Sequence, residues 1–188
     1  MNDRIEPPII NLIKTKKELD VIHRKFNNLD SNTDVPKWIV GFSSADMKIY
    51  YLSLNDYKNT QHAFDKSNYN FKLDEYKKTI LHEFIHYVNR CFCKKNNSIF
   101  SCKFLAEGIA QYLSGQKGNM ILQFNYDLDD ILNSNDCYNG WYLITKYIID
   151  KYPKAFLLDL LKDRNKAHDF LKNEYKEIKD YYLNFKDK

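Results

Sequence analysis

At 188 residues, with 44% hydrophobic and 15% aromatic side chains, the chain has the length and composition of one globular domain with a full core, which excludes general disorder. Its net charge of +4 permits a nucleic-acid partner, yet lysines and acids alternate from Lys162 to Lys188 as on a solvated helical face. No basic patch or helix-turn-helix pattern stands out, so no nucleic acid is expected. No run approaches the roughly 18 apolar residues that span a bilayer, and residues 1–8 lack a charged-then-apolar leader, so the expectation is a soluble, cytoplasmic protein with no membrane partner.

Thr15 followed three residues later by Glu18 is a capping-box signature, and Leu19, Ile22, Phe26 and Leu29 then mark one apolar face of a first helix. His23 lies on or beside that face and reads as a core or boundary residue; His62 and His168 sit in polar sequence, and none of the three has a motif around it. Trp38, Ile39, Val40 and Phe42, then Met47, Ile49, Tyr50, Tyr51 and Leu52, form two β-rich runs divided by Ser43-Ser44-Ala45-Asp46. They predict a hairpin in a small antiparallel or mixed sheet. Helices are expected over 73–94, 103–114, 127–132, 138–151 and 153–162, with one or two more at the C-terminus. Cys91, Cys93, Cys102 and Cys137 read as reduced, buried thiols. A rival metal site from Cys91, Cys93 and Cys102 would need a one-residue gap where zinc knuckles use two to four.

The chemistry concentrates in His82-Glu83-Phe84-Ile85-His86. Residues four apart on a helix stand one turn above each other, so His82 and His86 can aim two imidazole nitrogens at one metal ion. Glu83, rotated by about 100° from His82, brings its carboxylate beside that ion as a base for water. Catalytic zinc takes three protein ligands and keeps one position open, so a third donor must come from elsewhere. Glu107 is the candidate, on a second apolar helix that ends near Gly115. The polar connection from Cys91 to Lys103 is long enough to reverse the chain, and Gly108 is expected to let these two helices approach closely.

These residues resemble those of the gluzincin metallopeptidases, the thermolysin-like clan in which two histidines and a later glutamate hold zinc. Leu105-Ala106-Glu107-Gly108-Ile109-Ala110-Gln111-Tyr112 is similar to the glutamate helix of the small, aminopeptidase-related members, and Tyr138-Asn139-Gly140-Trp141-Tyr142-Leu143-Ile144 to the tyrosine-bearing helix that follows it there. The matches cover about Leu73 to Leu161. The resemblance implies one zinc per chain on His82, His86 and Glu107, Glu83 as general base, and Tyr138 donating a hydrogen bond to the oxyanion, with Tyr142 as the alternative. It implies an α+β, zincin-like single domain over 1–188, the sheet in about 1–72 and a helical catalytic part in about 73–188. The substrate would be a peptide or protein, paired along the edge of the hairpin.

Two departures stand out. No Gly-Ala-Met-Glu-Asn-type segment precedes the histidines, so aminopeptidase activity has no visible basis. Where relatives carry an acid one turn after the glutamate ligand to orient a histidine, this chain has Gln111, whose amide oxygen is expected to accept that bond instead. The alternatives to a peptidase are a non-catalytic zinc-binding or interaction module and, third, a nucleic-acid-binding regulator.

Overall fold

In the computed structural model, which describes residues 5–60, 73–98, 102–116, 124–134 and 136–183, the chain is α+β. Among the described residues it has eight helices and a three-stranded mixed sheet. It divides into two compact units, Met1–Val88 and Asn89–Lys188. No helix among the described residues is long and apolar enough to cross a membrane.

The first unit begins with strand β1, Ile9–Ile13, and helix α1, Lys16–Phe26. The capping box forms as expected: the Thr15 hydroxyl accepts from the Glu18 N–H at 3.2 Å, and the Glu18 carboxylate accepts from the Thr15 N–H at 3.3 Å. The helix stops before Leu29, because Asn28 turns left-handed at φ 52 and the Leu29 N–H closes back onto the Arg24 carbonyl at 2.9 Å. Leu29, expected on the apolar face, is therefore outside the helix and exposed.

The hairpin is β2, Gly41–Ser43, paired antiparallel with β3, Lys48–Leu52. Its first strand is shorter than the run from Trp38 suggested, since Pro36 closes a turn with Ile39 just before it. The connection is a turn closed by Met47 N–H to Ser44 C=O, with Met47 left-handed at φ 63. β1 pairs parallel with β3, giving the order β1-β3-β2 and a mixed sheet. A four-residue helix α2, Leu54–Tyr57, follows.

Helix α3, Leu73–Lys95, ends one residue beyond the expectation. Its first turns belong to the first unit, whose core joins Leu19, Val40, Tyr51, Leu52, Tyr57 and Tyr76. The Tyr76 ring meets Tyr57 and Tyr51 edge-on at 4.9 and 5.3 Å, a geometry that suits the aromatic quadrupole.

The second unit is helical: α4 Lys103–Ser114, α5 Leu128–Asn133, α6 Tyr138–Lys151, α7 Lys154–Lys162 and α8 Arg164–Leu183. The C-terminal region is thus one long helix through Leu183. α4 stops at Gly115, left-handed at φ 71, where the Gln116 N–H reaches the Gln111 carbonyl at 3.2 Å. α6 is apolar around most of its circumference and buries Trp141, Tyr142, Leu143, Ile144, Tyr147 and Ile148, as a central helix must. The Tyr182 hydroxyl of α8 donates to the Leu143 carbonyl at 2.6 Å, and Tyr147 and Tyr152 both donate to one oxygen of Glu174 at 2.9 Å.

Candidate metal centre

His82 and His86 lie one turn apart on α3, and their Nε2 atoms face each other at 3.0 Å, with ring planes at 79°. Two nitrogens at zinc-ligand distance from one tetrahedral ion would be about 3.3 Å apart. The pair is therefore close to the spacing that a shared ion requires. The carboxylate of Glu107, from α4, joins them: the ligand atoms of His82, His86 and Glu107 all lie within 4.8 Å of one another. Among the described residues this is the one cluster of three His, Cys, Asp or Glu side chains able to hold a metal ion. His82 is buried and the other two are half-buried.

Glu83 is held from the sheet. The Ser43 main-chain N–H donates to its Oε2 at 2.9 Å. Two further bonds tie the same face of α3 to β3: the Tyr76 hydroxyl donates to the Leu52 carbonyl at 3.1 Å, and the Tyr51 and Thr79 hydroxyls are hydrogen-bonded. Positions 76, 79 and 83 follow the three-and-four spacing that lines one helix face. Gly41 makes room for this, because a Cβ there would lie 2.6 Å from Cε2 of the Tyr51 ring. Burial pushes the Tyr51 phenol far above its ordinary value, so it remains a neutral hydrogen-bonding group.

Gly108, next to Glu107, lies against α6 in the second unit. A Cβ there would come within 2.9 Å of the Trp141 carbonyl carbon and nearer still to Thr145 Oγ1, so the missing side chain admits α6. Gln111 departs from the expected role. It is buried, 8% exposed, and among the described residues its Oε1 has no hydrogen-bond partner, so it is not accepting a bond from a histidine.

Tyr138 is half-buried at the start of α6 with its ring edge-on to Trp141 at 5.1 Å. Tyr142 is buried with its ring 5.8 Å from Tyr112, and burial raises its phenol above the ordinary value. Of the other histidines, His23 packs edge-on against Phe42 at 5.2 Å as a boundary residue, its pKa lowered by burial, and His168 lies over Phe104. His62 falls outside the described residues, as do 99–101 in the connection before α4. All four cysteines are free thiols. Cys91, Cys93 and Cys102 form no metal-ligand group among the described residues; Cys93 Sγ is directed at Asn89 Oδ1 and the Leu161 carbonyl, and burial pushes the Cys102 thiol up to about 12.

No family model, curated protein or solved structure matches this chain.

The Ser43 contact to Glu83 is the one that the motifs did not reveal. Ser43 contributes a backbone donor, and any residue but proline carries one, so no side-chain pattern encodes it. The one available signal was its position at the end of a short β-rich run before a turn.

Proposed function

We propose that this chain is a zinc-dependent peptidase with a zincin-like fold, and that it belongs with the gluzincins it resembles. The observation that carries the reading is the convergence of His82, His86 and Glu107 within 4.8 Å, with Glu83 next to His82 on the same helix. The donor set suits zinc, because two imidazole nitrogens and one carboxylate are three ligands of the type found in hydrolytic zinc sites and leave a fourth position open. When bound there, zinc would supply Lewis acidity, lowering the pKa of water and polarising the scissile carbonyl.

The remaining roles fall to the chain's own side chains. Glu83 takes the proton from the attacking water and passes it to the leaving amine, so that neither a hydroxide nor an amide anion has to form unassisted. A neutral phenol, Tyr138 or alternatively Tyr142, donates to the oxygen that gains charge as the carbonyl becomes tetrahedral. β2 is an outer strand of the sheet, and the Leu52 N–H to Val40 and Ser44 N–H to Lys48 bonds show its even-numbered residues turned toward β3. The Gly41 main chain and the Ser43 carbonyl therefore address the open edge, where an extended peptide would pair by strand addition, while the Ser43 N–H is taken by Glu83.

A second reading has one observation in its favour: the bond from Ser43 to Glu83 gives that glutamate a structural role, as a non-catalytic zinc module would need. The test is hydrolysis of a quenched fluorescent peptide library by wild type and Glu83→Gln, with zinc content measured on both. Cleavage by wild type that Glu83→Gln abolishes at unchanged zinc content supports the peptidase. Equal activity in both proteins, or zinc without cleavage by either, supports the module.

A further inference from the structure

We propose that the main-chain N–H of Ser43 is a positioning group for the general base, fixing one oxygen of Glu83 so that the carboxylate presents its other oxygen to the water. This deepens the peptidase reading and rests on it. A carboxylate on a two-methylene stem rotates among several rotamers, and a base works only when held within hydrogen-bond reach of the proton it takes. Here Oε2 is fixed at 2.9 Å by a donor that is itself rigid, since Ser43 is 6% exposed and its neighbours 42 and 44 face β3. The Tyr51–Thr79 and Tyr76–Leu52 bonds hold α3 and β3 in register on the same side, so the donor and the carboxylate cannot drift independently. The hairpin thus acts on the chemistry as well as on the substrate.

The geometry offers a clean perturbation. The Ser43 N–H lies on the outer edge of β2 and is directed at Glu83, while the bonds to β3 run through residues 40 and 44, so Ser43→Pro deletes that donor in a strand position where proline is tolerated. Ser43→Ala removes only the hydroxyl and keeps the donor. On the peptide that wild type cleaves best, with zinc-loaded protein, Ser43→Pro is expected to lower kcat by about tenfold or more relative to Ser43→Ala, with KM and zinc content unchanged. Unchanged kcat in a folded Ser43→Pro protein, or an equal loss in Ser43→Ala, overturns the proposal.

Amide hydrogen exchange at Ser43, read by NMR, needs neither activity nor the proline variant. The expected result is a Ser43 amide that is protected in wild type and exchanges at least tenfold faster in Glu83→Ala, with the Tyr51 amide unaffected as a control. Equal exchange in both proteins overturns the proposal. A protected amide in a wild type that cleaves no peptide overturns the catalytic role separately, leaving the bond as an anchor of the strand.

Discussion

Replacing Gly108 by alanine should destabilise the protein and weaken the candidate metal site together. An added Cβ would sit 2.9 Å from the Trp141 carbonyl carbon and closer still to its oxygen and to Thr145 Oγ1, whereas relaxed contacts lie at about 3.5–4.0 Å. Two of those three atoms are backbone atoms of α6, so they cannot swing aside, and α4 and α6 would have to part by about 1 Å. Overpacking of this kind costs about 3 kcal/mol at the upper end of its usual range. Alanine returns about 1 kcal/mol through its better helix propensity. The net loss is about 2 kcal/mol, which at this chain length lowers Tm by roughly 4–8 °C. The assay is denaturant and thermal unfolding of metal-free Gly108→Ala beside wild type, followed by zinc titration. Because Glu107 precedes Gly108 on the displaced helix, zinc affinity should fall as well. A variant as stable as wild type, or more stable, would refute the packing argument.

Gln111→Met, which keeps the volume and removes a buried amide with an unpartnered oxygen, should leave zinc affinity unchanged and raise stability by about 1 kcal/mol in urea unfolding. A tenfold loss of zinc affinity would instead show that Gln111 orients a ligand. Met47→Gly should stabilise the hairpin by up to about 1 kcal/mol, because a left-handed residue at φ 63 carries a steric cost that glycine lacks; a lower midpoint would contradict the turn geometry. Burial raises the Cys102 thiol from an ordinary 9.0 to about 12, so the unfolded chain ionises first. The stabilisation is full below pH 9 and is lost as pH rises toward 12, about 1–2 kcal/mol by pH 10.5. Unfolding midpoints measured from pH 8 to 10.5 should therefore decline less in Cys102→Ala than in wild type, and parallel declines would count against the burial.

The helices around the candidate site were legible because their ends carry local signals. Gly115 closes α4 and the Tyr152-Pro153 pair closes α6, and both helices have the bounds that the pattern predicts. Thr15 and Glu18 did the same for α1, while Asn28, free to turn left-handed, ended it before Leu29 could join. β1 was not legible. Ile9-Ile10-Asn11-Leu12-Ile13 lacks alternation because Ile9, Ile10 and Leu12 are all exposed, and its partner β3 is 35 or more residues away.

The site shows the same division. His82, Glu83 and His86 were readable as one helical motif, and Glu107 as a donor on a second helix, because side-chain chemistry and spacing are written in the residues. Gly108 marked a close approach, and within the second unit the helix it admits is α6. Ser43 reaches Glu83 through its backbone, and only the folded hairpin brings that N–H there.

The proposed peptidase requires His82, His86 and Glu107 to hold one zinc ion. The most direct test is native mass spectrometry of metal-stripped protein titrated with zinc, for wild type, His82→Ala and Glu107→Ala. One tightly held zinc is expected in wild type, with loss of it in both variants while their circular dichroism remains that of wild type. No zinc in wild type, or one zinc retained in both variants, would contradict that requirement.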